Sequence, residues 1–299
     1  LSSIGGSATQ AFTDNGNNNF SFTATVSANT VAGAKSLPFT VADAQGRTGS
    51  GAIALTVTAI DPCSANYTHI YSIQGSGTSA AITGDVTTQG VVVGDFEGTA
   101  AASGFYLQDL TGDGNTATSD GIFVFTGSAD TVSIGQVVRV TGYARERFSQ
   151  TALNGSNSDS AAVTSANILV CGTGSVPATD VTLPFASATD PERYEGMLVR
   201  FPEPLVIAEY FNYDRFGEIV LAKPLNGEPR PFTGTALDEP GAAANARTAA
   251  NALSRITLDD AQSAQNPPVL RHPNGQPFSL NNLFRGGDTV QNAIGVLGY

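Results

Sequence analysis

A cluster of oxygen-bearing side chains lies in the segment LQDLTGDGNTATSDGIFVFTG, residues 107–127, between two strand-like runs. The clustered residues are Asp109, Thr111, Asp113, Asn115 and Asp120. Their spacing approaches that of a calcium loop, which needs hard oxygen ligands at positions 1, 3 and 5, a Gly at position 6 and a carboxylate at position 12. The segment therefore predicts a structural Ca²⁺ site.

The same segment allows two other interpretations. Thr at position 3, Asp rather than Glu at position 12, and flanking strands instead of helices all favour a polar hairpin loop whose side chains hydrogen-bond their own backbone. A catalytic carboxylate pair is disfavoured, because the sequence places no base, nucleophile or histidine beside it. We expect this chain to contain no catalytic residues.

Two further segments combine aromatic residues with arginine. YARERFSQ carries Tyr143, Arg145, Arg147 and Phe148, and AEYFNYDRFGE carries Tyr210, Phe211, Tyr213 and Arg215. Bases of a single strand stack on exposed rings while Arg holds phosphates, so both segments are candidate contacts for DNA or RNA. The alternatives are an ordinary solvated strand end for the first segment, and core or interface aromatics for the second.

The charge balance limits how strongly such contacts bind. The chain has 26 acidic and 14 basic residues, which gives a net charge of −12. Residues 1–137 contain 10 acids and 2 bases, whereas residues 138–299 contain 16 acids and 12 bases. A polyanion is repelled by this mean field. We therefore expect weak nucleic-acid contacts, confined to the second half of the chain.

Composition also bears on the cellular compartment. Charged residues make up only 13% of the chain, and Gly, Thr, Ser and Asn are abundant, which is typical of an extracellular all-β protein. The two cysteines, Cys63 and Cys171, predict one disulfide in that setting, and two buried free thiols are the alternative. No apolar run approaches the ~18 residues of a membrane span. We expect a secreted or cell-surface protein.

The first sixty residues contain three alternating apolar and polar runs: NFSFTATV (19–26), KSLPFTVAD (35–43) and GAIALTVTA (51–59). Alternation of this kind predicts half-exposed strands. Three strands are too few for an immunoglobulin-like sandwich of about seven. Residues 1–60 are therefore interpreted as the C-terminal part of an Ig-like sandwich. Its unpaired edge could pair with a strand of a neighbour, which makes a homo-oligomer or filament the alternative function.

A linker at 61–82 leads into two β-rich blocks. In the block at 83–180, a long first strand (84–96) is interrupted by Gly90 and Gly94. Five strands of this kind are typical of an OB-type barrel, because Gly lets a strand bend and serve both sheets. The block at 181–299 echoes the pattern and predicts a second OB-like β-domain. Its insertion at 224–285 holds an Ala-rich helix candidate, with a Gly- and Asn-rich loop carrying a short helix as the alternative.

Three motifs carry a family resemblance: ERYEGMLVRF, GFYLQDLTGDGNTATSDGIFVFTG and RITLDDAQSAQNP. The chain resembles, from about Cys63 to Tyr299, the non-catalytic N-terminal region of bacterial extracellular nucleases with an endonuclease/exonuclease/phosphatase domain. AKSLPFTVADAQGRT resembles the end of the Ig-like module that some members carry upstream. The resemblance implies an accessory region that positions a downstream catalytic domain, a phosphodiesterase that needs Mg²⁺ or a similar divalent ion. This chain stops at GVLGY, about where that domain would begin.

Overall fold

The computed structural model describes residues 1–7, 10–27, 29–59, 61–98 and 102–298. The chain divides into two compact units, Leu1–Ala65 and Asn66–Tyr299. Most of the regular structure in both units is β-strand, and the second unit contains a closed barrel. The predicted all-β fold class is confirmed.

Among its described residues, the first unit contains two antiparallel ribbons and two short 3₁₀ turns, Ser2–Ile4 and Pro62–Ser64. Its strands are β1 (Thr13–Asp14), β2 (Phe20–Ser21), β3 (Gly33–Ala42) and β4 (Thr48–Val57). β1 pairs with β2, and β3 pairs with β4 along all ten residues. The predicted strand at 19–26 is therefore wrong in length, because only its first residues find a pairing partner. The two predicted strands that follow it are present.

The second unit begins with a barrel block. Its elements are α1 (Ile70–Gln74), β5 (Gly84–Phe96), β6 (Gly104–Gln108), β7 (Gly121–Phe125), β8 (Gln136–Arg147), β9 (Gln150–Asn154), a 3₁₀ turn at Ser165–Asn167 and β10 (Ile168–Thr173). Five of the strands close a ring in the order β5-β6-β7-β9-β8, and β8 returns to β5. β7 and β9 pair in parallel, and the other ring pairs are antiparallel. This is an OB-type Greek-key barrel.

β5 belongs to both halves of this barrel. Its residues 84–91 pair with β8, and residues from 91 onward pair with β6, with a bulge between Val92 and Gly94. A Cβ at Gly90 would collide with the backbone carbonyl of Gln108. Only glycine permits this close approach at the bend. The Gly-interrupted first strand predicted from the sequence therefore does bend in the expected way.

The barrel interior is filled by apolar side chains from alternate strand positions, including Phe105, Leu107, Ile122 and Val124. α1 packs its Ile70 and Ile73 onto the same core. These alternations follow from the period of two in a strand, which sends neighbouring residues to opposite faces. The outer face of the barrel at β6 and β7 is therefore formed by residues 104, 106, 123 and 125. Whether this outer face is accessible decides whether a ligand can bind there.

The remaining residues form a second block with two sheets. Its elements are β11 (Thr179–Asp180), a 3₁₀ turn at Asp190–Tyr194, β12 (Leu198–Phe201), β13 (Leu205–Glu209), α2 (Tyr213–Phe216), β14 (Ile219–Ala222), α3 (Gly234–Leu237), α4 (Ala242–Leu253), β15 (Arg255–Leu258), β16 (Thr289–Val290) and β17 (Ala293–Val296). One sheet has the order β11-β12-β17, and the other has the order β15-β14-β13-β16. Both contribute to one apolar core that includes Val199, Phe201, Leu205, Ile207 and Leu221.

The insertion at 224–285 differs in one respect from the expectation. The Ala-rich segment forms α4, as its composition predicts. However, residues 255–258 of the insertion form β15, which pairs with β14 along its whole length. A run of four residues shows too little alternation to be recognised as a strand from the sequence.

Cys63 and Cys171 are disulfide-bonded, so the predicted disulfide is confirmed. The covalent loop between them contains all five strands of the barrel ring in sequence. The longest helix in the described part of the chain, α4, has 12 residues, and none there qualifies as a membrane span.

Candidate functional site

The acidic loop connects β6 to β7, and Asp109 is its buried anchor. Asp109 is 2% exposed. Its Oδ1 accepts hydrogen bonds from the backbone N–H groups of Thr111 (3.2 Å) and Gly112 (3.3 Å). Its Oδ2 lies 2.8 Å from Nδ1 of His69. A buried carboxylate is stable only when it is partnered in this way.

The expectation that no histidine lies beside the acidic loop is therefore wrong. His69 is 40 residues away in sequence, but the extended chain before α1 runs beside β5, where the N–H of Thr68 donates to the carbonyl of Thr87. The His69 ring lies 4.9 Å from that of Tyr67 and is stacked on Tyr71 at 4.8 Å. Asp109 thus holds the imidazole in place through Nδ1.

The outer part of the loop hydrogen-bonds itself. Asp113 Oδ1 accepts from the N–H of Asn115 (2.8 Å), and Asn115 Oδ1 accepts from the N–H of Ala117 (3.1 Å). The hydroxyl of Thr118 donates to Asp113 at 3.2 Å. This is the pattern of a polar hairpin loop built from Asx turns.

Asp120 closes the loop, and its carboxylate is half-buried. Burial, followed by the negative charges of Asp109 and Asp113, raises the pKa of Asp120 to about 6. The left-handed conformation of Gly112 brings its backbone against this carboxylate, and a Cβ there would collide with it. Glycine is therefore required at position 112.

The described acidic residues of this loop do not bring their carboxylate oxygens together as the ligands of one metal ion would be. Among the described residues, the one group of three acids whose oxygens lie within 4.8 Å of one another is Asp95, Glu97 and Asp130, outside this loop. Glu97 already accepts hydrogen bonds from Thr131 and Val132. Calcium at 109–120 stays a prediction, and an unchanged melting temperature after chelation would dismiss it.

Replacing Asp109 with Asn is expected to lower the free energy of unfolding by about 1 to 3 kcal/mol, because the buried loop anchor loses its charge-assisted bond to His69. Denaturant unfolding at pH 7 measures this. The control is Asp113→Asn, at an exposed loop position, where we expect a change below about 0.5 kcal/mol. Equal losses in the two variants would contradict the anchoring role.

The face that OB barrels commonly offer to oligonucleotides, on their second and third strands, is covered here. Those strands are β6 and β7, and their outward rings, Tyr106 and Phe123, are buried. Leu198 and Val296 of the second block pack against them. The N–H of Leu198 also donates to Gln108 Oε1 at 2.9 Å. Nucleic-acid bases are thus excluded from stacking on Tyr106 and Phe123.

Glu195 is the buried acid of the same interface. It is 4% exposed, and its Oε1 accepts a hydrogen bond from the N–H of Thr151 at 2.6 Å. Burial raises the pKa of Glu195 to about 8, and the nearby carboxylate of Glu146 adds to the shift. Glu195 is therefore largely protonated at neutral pH.

The first arginine and aromatic segment lies at the rim of the barrel. β8 and β9 are joined by a tight turn at Phe148 and Ser149, which both adopt the left-handed conformation with φ of 52° and 64°. Phe148 is 73% exposed. The Arg147 guanidinium lies 4.1 Å from the ring centre of Phe125 and 4.8 Å from that of Phe148. Arg147 therefore holds the exposed ring against the barrel.

The other members of this segment are less available. Arg145 forms an ion pair with Asp159 at 3.0 Å. Tyr143 is half-buried on β8, opposite Asp85 of β5 and Asn154 of β9. Both residues are thus engaged along the barrel wall rather than presented at its rim.

The second segment forms the tip of the β13–β14 hairpin, where α2 turns the chain. The assignment of Tyr213 to a binding surface is wrong: it is buried, its hydroxyl donates to the carbonyl of Arg271, and its ring packs on Phe284. Arg215 is held by Gln265 at 3.0 Å. Tyr210 and Phe211 are exposed, with Phe211 at 84%.

Comparison of the chain with protein-family models, with curated proteins and with solved structures gave no match. At the rim turn, Phe148 combines a left-handed backbone, which is unfavourable for a bulky residue, with an exposed aromatic ring. Packing within the chain therefore does not explain why an aromatic residue is at this position.

Proposed function

We propose that this chain is an accessory region of a secreted or cell-surface bacterial nuclease, and that its barrel contacts single-stranded nucleic acid at the β8–β9 turn. Arg147 and Phe148 make the contact. A base stacks on Phe148, and Arg147 orients the ring and lies near the phosphate. The nuclease assignment is supported by the sequence resemblance, and the disulfide is consistent with an oxidising, extracellular compartment.

The observation that carries the nucleic-acid proposal is the conformation of the turn. Two-residue hairpin turns with left-handed residues favour Asn-Gly, and a bulky side chain there costs about 1 to 2 kcal/mol. Phe148 recovers little of this by burial, since its ring is mostly exposed. A ligand that stacks on the ring supplies a reason for the aromatic residue at this position.

The β8–β9 turn lies on a part of the barrel surface that is exposed. The turn corresponds to the loop between the fourth and fifth strands, one of the two loops that OB barrels use for oligonucleotides. The strand face beside it is covered by the second block. The net charge of −12 and the pairing of Arg145 with Asp159 keep the affinity low. We therefore infer that the chain positions the catalytic domain and makes only weak local contacts with nucleic acid.

Phe148→Ala is expected to weaken binding of a fluorescent oligothymidine about five- to 150-fold, because one stacked base contributes ~1 to 3 kcal/mol. Fluorescence anisotropy at low salt measures this, and the affinity should fall as salt rises. Phe211→Ala is the matched control, since it removes another mostly exposed ring and should leave the affinity unchanged.

Phe148→Asn separates a role in binding from a role in folding. Asn tolerates the left-handed conformation, so the variant should fold at least as stably as the parent while losing the same affinity. No binding by the parent chain at low salt, or a loss with Phe211→Ala instead, would overturn the proposal.

The first unit favours a second candidate, an assembly module. β3 and β4 form a ribbon of ten residue pairs, and no third strand joins it among the described residues. Beside it lies an open groove of about 890 Å³ lined by aromatic and aliphatic residues such as Phe12, Phe22 and Phe39. A strand from a neighbour could extend the ribbon. A strict monomer at all concentrations in size-exclusion chromatography would remove this candidate.

A further inference from the structure

Each of the two sheets of the second block ends at a strand whose residues line the same groove. β17 is the last strand of the three-stranded sheet, and β15 is the last strand of the four-stranded sheet. A groove of about 540 Å³ is lined by residues of both strands, among them Ile256, Thr257, Ile294 and Val296. In the described part of the chain, no strand pairs with either of these outer edges.

Hydrogen bonds at the ends of the strands show which backbone groups point into the groove. The N–H of Leu297 donates to the carbonyl of Met197. Because hydrogen-bonded pairs alternate along an antiparallel ladder, Gly295 and Ala293 also point their backbone N–H and C=O groups toward β12. Ile294 and Val296 therefore direct their N–H and C=O groups toward the groove.

β15 has the corresponding arrangement. The N–H of Lys223 donates to the carbonyl of Ser254, and the register then turns Ile256 and Leu258 toward β14. Arg255 and Thr257 direct their backbone groups to the groove. Two edges thus present donors and acceptors to the same space.

The floor of the groove is apolar. The buried apolar residues that line the groove include Val199, Phe201 and Leu221 of the two sheets and Tyr106 of the barrel. Asp259 is the one charged residue among the described residues that line it. The groove therefore suits apolar groups on its floor and a cation at the end where Asp259 lies.

We propose that this groove binds one extended polypeptide strand of a partner protein, which pairs with β15 on one side and with β17 on the other. The strand joins the three-stranded and four-stranded sheets into one sheet of eight strands. It carries apolar side chains at alternate positions and a Lys or Arg near Asp259. This inference is independent of the contact proposed at Phe148.

The choice of a strand over a small ligand rests on the backbone. Both edges are four residues long, which gives each a length of about 13 Å at ~3.3 Å per residue. A small apolar ligand would fill the floor but leave both rows of backbone groups without partners. A strand of four or five residues satisfies both rows and the floor together. The single acidic residue and the net charge of −12 favour a basic strand.

The probe is a fluorescent heptapeptide of alternating Val and Thr with one terminal Lys, titrated into the full chain. The control peptide has the same sequence with N-methyl groups on alternate residues, which removes the donors for one edge. We expect the unmodified peptide to bind at least tenfold more tightly than the control. Equal affinities would overturn pairing through the backbone.

Hydrogen exchange places the bound peptide. The amides of Thr257 and Ile294 should exchange at least tenfold more slowly in the complex, whereas those of Ile256 and Gly295, which face their own sheets, should change little. Thr257→Pro removes one groove-facing donor without breaking the ladder to β14, and should weaken the unmodified peptide. Binding without protection of Thr257 and Ile294, or dimerisation of the chain through β15 and β17 in place of peptide binding, would overturn the proposal.

Discussion

The free energy of unfolding of the parent chain is expected to decrease as the pH rises from about 4.5 to about 8, and Glu195→Gln is expected to abolish this decrease. The pKa of Glu195 is raised to about 8 in the folded chain by burial, whereas it has its ordinary value in the unfolded chain. The folded state therefore holds a proton that the unfolded state has lost, so stability falls as the pH rises through this window.

The size of the effect follows from the shift. Each pKa unit corresponds to about 1.4 kcal/mol, which gives a difference of about 3 to 5 kcal/mol between the two ends of the window. Below pH 4.5 Glu195 is protonated in both states, and its contribution to the free energy of unfolding is fully present. Above pH 8 the buried carboxyl must ionise beside Glu146, and the contribution is lost.

Urea unfolding of the parent chain and of Glu195→Gln at pH 5, 7 and 9 measures this. The variant should be the more stable protein at pH 9 and should show the flatter profile. Glu239→Gln, at an exposed position, is the control and should follow the parent profile. Parallel profiles for the parent and Glu195→Gln would contradict the assignment of a protonated, buried Glu195.

Removing the disulfide is expected to lower the free energy of unfolding by about 4 to 5 kcal/mol. In the chain-entropy model, this is the effect of opening a loop of roughly 100 residues. The loop from Cys63 to Cys171 contains the whole barrel ring, so its opening increases the freedom of the unfolded barrel segment. The double substitution Cys63→Ala and Cys171→Ala tests this in denaturant unfolding.

Reduction of the parent chain supplies the control for that experiment. The parent in the presence of reductant should unfold at the denaturant concentration of the double variant, and the variant itself should be insensitive to reductant. A parent whose unfolding is unaffected by reductant would show that the cross-link contributes nothing to stability.

Local patterns in the sequence were sufficient for much of the fold. The long Gly-interrupted strand predicted the bend of β5, because Gly90 is the residue that permits close approach to Gln108. The Ala-rich segment predicted α4, and the pair of cysteines predicted the disulfide. Each of these features depends on residue type and short-range spacing, which a single sequence contains.

Long-range arrangements were not accessible in the same way. The contact of His69 with Asp109 joins residues 40 positions apart, and it arises from the path of the chain beside β5. Tyr213 looked like an exposed ring, but α2 turns it into the core. The cover over Tyr106 and Phe123 comes from strands far away in sequence, so no local pattern signals it. The strain at Phe148 likewise becomes visible only as a backbone angle.

The central claim is that nucleic acid meets this chain at the β8–β9 turn. Its most direct test is a titration of the ¹⁵N-labelled chain with an oligothymidine of about eight nucleotides, followed by amide chemical shifts. We expect the largest shift changes at Arg147, Phe148 and Ser149, and their amplitude should fall as salt is raised. Shift changes centred on Tyr210 and Phe211, or no shift changes at low salt, would contradict it.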